Sequence, residues 1–164
     1  VRTDQRTPAA GGRIEVVPFR EELAPHFERL NREWLERLFA VEKVDLKYFH
    51  DPVGTIIAPG GMIFFAIEGP TVLGTGAAIR IDAERFELAK MGVTLEAQGR
   101  GIGRLLAVAA IDYAKRAGAR QVELFTNSTL ASAIHLYEQL GFVAQPLPAG
   151  GEYVRSDVHM VRRF

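Results

Sequence analysis

The turn Gln98-Gly99-Arg100-Gly101-Ile102-Gly103 is the stretch of this chain whose residue types and spacing suit an anion. Its glycines let the backbone bend sharply and approach a ligand closely. A strand-like run precedes it and a helical run, Ile102 to Arg116, comes after it. The turn therefore presents the unpaired N–H groups and partial positive charge of a helix N-terminus, a ready seat for a phosphate or pyrophosphate. Arg100 and Arg104 add charge at the rim. The spacing is not that of a P-loop, because Arg104-Leu105 stands where Lys-Ser/Thr is needed. Nor is it the dinucleotide pattern G-x-G-x-x-G, which asks for glycine at position 104. Taken alone, these residues are equally well read as a glycine-rich turn that binds nothing.

Other side chains exclude more than they suggest. The chain has no cysteine, which rules out disulfides, a cysteine nucleophile and thiolate metal ligands. His26, His50, His135 and His159 are scattered without the i, i+4 pairing of a helical zinc site, so no metal is expected. No G-x-S-x-G elbow is present. Lysine plus arginine number 20, as do aspartate plus glutamate, and the net charge of zero gives no bulk attraction to nucleic acid or an anionic membrane. No apolar run approaches a membrane span and no charged-then-apolar leader opens the chain, so a cytoplasmic protein is expected.

The elements that must position the turn can be read from periodicity. With 164 residues, 48% hydrophobic and 24% charged, the chain can bury one core, and we expect a single domain over 13–164 behind a polar tail, 1–12. Arg13 to Val17 reads as a strand. Leu23, Phe27, Leu30, Trp34 and Leu38 form the stripe of an amphipathic helix, and a weaker helical patch covers Val44 to Phe49. Asp51 to Gly61, rich in Gly and Pro, reads as a loop. Strands are predicted at Met62 to Ile67, at Val72 to Ile81 with a bulge or close approach near Gly74 and Gly76, and at Phe86 to Val93. The helix Ile102 to Arg116 carries Ile102, Leu105, Leu106, Ala109 and Tyr113 on one face and ends at Gly118. Gln121 to Phe125 is a strand. Leu130, Ala133, Ile134, Tyr137 and Leu140 stripe a further helix that Ser128 or Thr129 can cap. Phe142 to Ala144 and Asp157 to Val161 are the last strands.

From Glu87 to Phe142 the sequence resembles the GCN5-related N-acetyltransferase (GNAT) family. The Gln98 to Gly103 turn matches that family's Q/R-x-x-G-x-G/A loop. Glu87-Leu88-Ala89-Lys90-Met91-Gly92-Val93 is similar to its fourth strand, and Ala133-Ile134-His135-Leu136-Tyr137-Glu138-Gln139-Leu140-Gly141-Phe142 to its A-I-x-L-Y-E-x-L-G-F helix. A weaker likeness runs from Leu30-Asn31 to Trp34 and from Pro59 to Ala66.

The resemblance implies an α/β (α+β) fold: a mixed, mostly antiparallel sheet with helices on both faces and a splayed V between the fourth and fifth strands. It implies acetyl-CoA as co-substrate and acetyl transfer to an amine. Met91 and Val93 would hydrogen-bond the pantetheine arm through their backbone, and the N–H groups of Gln98, Gly99, Arg100, Gly101, Ile102, Gly103 and Arg104 would hold the pyrophosphate. Tyr137 would donate a proton to the departing thiolate or hydrogen-bond it. Glu87, eleven positions before Gln98, stands where histone acetyltransferases of the family keep a general base. Position 130, often asparagine in relatives, is Leu130, so Asn127 either replaces that contact to the arm or caps the helix. Without a cysteine, direct attack in a ternary complex is the simpler path. The acceptor is expected to be a small-molecule amine near Asn31, Trp34, His50 and Asp51 to Gly61, with Arg155 either gripping an acceptor carboxylate or standing as a solvated loop charge. A homodimer is common in the family. The competing readings are a non-catalytic acyl-CoA-binding or sensor module on the same fold, and an interaction domain whose turn is empty.

Overall fold

The structure is a computed structural model and describes residues 12–164. Apart from Gly12, the expected tail lies outside the described residues. The order is β1 (Ile14–Pro18), α1 (Ala24–Leu38), α2 (Lys43–His50), β2 (Met62–Glu68), β3 (Thr71–Arg80), β4 (Arg85–Val93), α3 (Ile102–Arg116), β5 (Gln121–Thr126), α4 (Ala131–Gln139), β6 (Val143–Gln145) and β7 (Val158–Arg163). These strands form one sheet in the order β1-β2-β3-β4-β5-β7-β6. Its pairs are antiparallel except β4–β5, which α3 connects as a βαβ crossover.

Each face of the sheet carries its own core. Phe27, Leu30 and Leu35 of α1 pack with Phe49, Ile56, Ile63 and Phe65 on one side. Ile102, Leu106 and Ile111 of α3 pack with Phe86, Leu88, Leu124 and Met160 on the other.

Two irregularities in β4 shape everything near the site. First, its parallel pairing with β5 covers only Arg85↔Gln121, Phe86↔Val122 and Glu87↔Glu123, after which the strands part. From Leu88 to Val93 the β5-facing edge of β4 has no strand beside it. Second, Ala89 pairs Ala77 and Gly92 pairs Thr75, so Lys90 and Met91 together oppose Gly76. This is a β-bulge, and Lys90 in it takes a left-handed φ of 55°. One extra residue exchanges the faces of the rest of the strand. Before the bulge Phe86 and Leu88 enter the α3-side core; after it Met91 and Val93 do. Glu87 and Lys90, three apart, thereby share the α1/α2 side, where a regular strand would oppose them.

Several expectations need correcting. Leu38 is exposed and Leu35 takes its place in the core, because α1 turns its narrow buried face toward β3 and β4. On α3 Leu105 is exposed, and Ala107, Ala110 and Ala114 are buried instead. Small side chains let this helix lie close on the sheet: a Cβ at Gly74 would come within 3.0 Å of Ile102 and Leu106. The segment expected as a loop, Asp51 to Gly61, contains a π-helical turn, Val53–Ile57, anchored by the fully buried Ile56. Neither Ser128 nor Thr129 caps α4; its N-cap is Leu130, with no side-chain cap, and of its stripe only Tyr137 is buried.

Candidate active site

The parting of β4 from β5 opens a cleft of about 500 Å³. Its walls come from α1, α2, β4, β5, the first turn of α3, α4 with the turn before it, and the segment before β7. Met91, Val93, Gln98, Gly103, Asn127, Tyr137 and Glu87 all line it. Gly99, Arg100, Gly101, Ile102 and Arg104 do not, although they build the adjoining turn.

That turn ends on Gly101, the N-cap of α3, at φ 77°, with Gly99 at 83°. Both angles favour glycine. The first intrahelical bond runs from Leu105 N–H to the Gly101 carbonyl at 3.2 Å. Among the described residues, the N–H groups of Ile102, Gly103 and Arg104 meet no acceptor, as expected of a helix start. Ile102 is 1% exposed and is a core residue, so it offers only its backbone. Arg100 pairs with Glu68 and Arg104 hydrogen-bonds Gln139, which ties both guanidinium groups to neighbours. Gln98 Nε2 donates to the Val93 carbonyl at 3.3 Å. Asn127 Nδ2 donates to the Arg155 carbonyl at 2.7 Å, while its Oδ1 accepts from the N–H and hydroxyl of Thr129. Its side chain therefore braces the turn before α4. Tyr137, packed edge-on against Phe142 at 6.0 Å, is buried, and burial raises its phenol to about 12.

Opposite lies a cluster of charges. Asp45 is wholly buried on α2 and receives Lys90 Nζ at 2.6 Å, both Arg155 η-nitrogens at 2.8 Å and the Glu42 N–H at 2.8 Å. Burial would raise its carboxyl, but the bonds from Arg155, Lys90 and Glu42 outweigh it and hold the group down at about 2. Lys90 also donates to the Tyr153 hydroxyl at 2.7 Å. Burial lowers the Lys90 ammonium, opposed by the Asp45 carboxylate. Arg155 completes the set through Glu42 at 3.1 Å and lies 4.4 Å from the Tyr153 ring centroid. Glu87 has no such partner. Burial first, then the charge of Glu152, pushes it up to about 7 in spite of Lys90 nearby.

Arg155 is thus neither a solvated charge nor a free fork: both of its η-nitrogens bond this chain's own carboxylates. His50 and the 51–61 segment line none of the cleft, although Asn31 and Trp34 do. Asn31 Oδ1 and Trp34 Nε1 are buried without a hydrogen-bond partner among the described residues. The sequence reading missed Asp45, Lys90 and Tyr153 as site residues. The available signal was a lysine inside the otherwise apolar strand Leu88-Ala89-Lys90-Met91.

The model of the acetyltransferase (GNAT) family matches residues 18–142. The chain belongs to that family. A mycothiol acetyltransferase of Gordonia bronchialis is 36% identical over 101 residues, covering 62% of this chain and 31% of that protein. An uncharacterized N-acetyltransferase of Methanocaldococcus jannaschii is 38% identical over 81 residues, covering 49% and 33%. This GNAT chain therefore spans a third or less of the curated relatives it matches. Among solved structures, a GNAT acetyltransferase of Staphylococcus aureus superposes with a TM-score of 0.83 at 19% identity, covering 92% of this chain and 99% of that one. An acetyltransferase structure from Salmonella typhimurium, with its cofactor acetyl-CoA, gives 0.72 at 20% identity over 93% and 94%. These likenesses support the GNAT fold. Among the described residues no acidic or histidine group is arranged around a metal position, and no helix is long and apolar enough to cross a membrane.

Proposed function

We propose that this GNAT domain transfers the acetyl group of acetyl-CoA to the nitrogen of a small-molecule amine, by direct attack in a ternary complex in the cytoplasm. The observation that carries the reading is the parting of β4 and β5 after Glu87, which gathers an unpaired strand edge, the α3 N-terminus, Tyr137 and Glu87 around one cleft.

The residues fit the co-substrate. The bare N–H groups at the start of α3 suit a pyrophosphate. The free edge of β4 suits an amide-bearing arm laid alongside it as an added strand; an arm amide there replaces Gln98 at the Val93 carbonyl. A thioester carbonyl beside the bulge meets backbone N–H groups, which stabilise the oxyanion as nitrogen attacks carbon.

Glu87 takes the amine proton. A carboxyl near 7 is half ionised at neutral pH, strong enough to accept a proton and weak enough to release it afterwards. Tyr137 acts on the leaving sulfur. A phenol at about 12 is fully protonated, but giving its proton to a thiolate of ordinary thiol pKa (about 8.5) is uphill by roughly 5 kcal/mol. Tyr137 therefore hydrogen-bonds the sulfur as the C–S bond breaks, and solvent supplies the proton.

The test is thermal melting with acetyl-CoA for the wild type and Gly103→Glu. Position 103 has room for a side chain, with Leu136 3.6 Å from a built Cβ, and a carboxylate at a helix start does not harm the fold. We expect a saturable rise for the wild type and none for the variant. No rise at millimolar acetyl-CoA overturns the reading.

A further inference from the structure

The acceptor end of the cleft constrains the acceptor's own charges, and we propose that it takes a primary amine whose nitrogen-bearing carbon carries no carboxylate. The inference rests on the acetyl-transfer reading of the same cleft.

Such a carboxylate needs donors close to the attacked carbon. The cations lining the buried end are Lys90 and Arg155, and each is already paired with a carboxylate of this chain. Asp45 takes Lys90 at 2.6 Å and both arms of the Arg155 fork at 2.8 Å, while Glu42 takes the fork again at 3.1 Å. Tyr153 holds both in place from another direction, its hydroxyl accepting from Lys90 and its ring lying 4.6 Å from the ammonium and 4.4 Å from the guanidinium. Freeing the fork for a ligand would strand Asp45 as a wholly buried ion with fewer partners.

The acidic side of the cleft adds repulsion. Glu87 lines it without a hydrogen-bonded cation; the charge of Glu152 bears on it, opposed by Lys90, and Glu123 adds to it although paired with His159 at 2.8 Å. An incoming ammonium is drawn to this set and an anion beside it is not. The buried polar atoms still lacking partners along the α1 wall, Trp34 Nε1 and Asn31 Oδ1, are neutral. One donates and one accepts, which matches a hydroxyl or amide on the acceptor. Arg37 also lines the cleft, but it is exposed on the last turn of α1. An anion remote from the amine can reach that arginine; one on the amine-bearing carbon lies too deep.

The experiment compares matched pairs with wild-type protein and acetyl-CoA, reading thiol release: phenethylamine against phenylalanine, tyramine against tyrosine, histamine against histidine, ethanolamine against serine. In pairs that react, the decarboxylated member should lead in kcat/KM by on the order of 100-fold. Glu152→Gln should raise KM for phenethylamine about threefold while leaving KM for acetyl-CoA unchanged. If the amino acids match or exceed their amines, the proposal is overturned while acetyl transfer stands. If acetyl-CoA raises the melting temperature yet no member of any pair releases thiol, the transfer reading falls and takes this proposal with it.

Discussion

The two walls of the cleft are made of different material. Toward the α3 start the surface is largely main chain: the unpartnered edge of β4 and the helix start, with the left-handed glycines in the turn adjoining them. Toward α2 it is side chain: Asp45, Lys90, Arg155 and Tyr153, mostly buried and bonded to one another. A main-chain wall can hold an invariant co-substrate with almost any side chains around it. A side-chain wall is particular to its sequence, and under the proposed function it is where acceptor choice would reside.

The hardest blow to this contrast is Asp45→Asn. Removing one charge from a buried cluster of two cations should cost about 3–5 kcal/mol, read as a lowered urea midpoint. The lowered carboxyl makes the stabilisation fully present above the unfolded value near 3.8, and it is lost as pH falls through about 2. The variant should therefore lose its disadvantage in strong acid. A wild-type stability at neutral pH would mean that the side-chain wall is not held by this carboxylate.

Glu87→Gln separates chemistry from stability. As the proposed base, its loss should lower the rate by about 10²–10⁴-fold, and wild-type activity should fall as pH drops through about 7. Stability should move the other way. Here the folded value lies above the unfolded one, so the burden of ionising Glu87 grows from pH 4.5 to 7 and is complete above. The variant should gain up to about 3 kcal/mol at pH 8 and little at pH 4.5. Melting curves at the two pH values check the sign.

The smallest effect belongs to Tyr137→Phe. Losing one hydrogen bond to a developing thiolate should reduce kcat about tenfold with KM for acetyl-CoA unchanged. Stability should stay within about 0.5 kcal/mol, since the ring keeps its packing on Phe142. A large loss of stability would make this tyrosine an ordinary core residue.

Legibility in the sequence obeyed the same division. The α3 bounds, Ile102 to Arg116, and the turn before them were readable because glycine conformation and helical period are local properties. The acidic and basic wall was not. Its bonds join residues 45, 63 and 110 positions apart, and no spacing rule links them. Nor was the bulge at Lys90 foreseen, although Glu87 and Lys90, three apart on one strand, break the two-residue alternation. Leu38 and Leu105 were misassigned for another reason: large apolar residues marked the expected stripes, whereas alanines let α3 approach the sheet.

The tie between α2 and the segment before β7 also sets an order in time. Glu42 and Asp45 leave the ribosome more than a hundred residues before Val154 and Arg155, which they bind. Contacts that distant close late, because the entropy of the intervening loop must be overcome first. The side-chain wall is therefore the last part of the cleft to be finished in a newborn chain, and a nick in the 146–157 connection would undo it first, leaving the α3 turn intact.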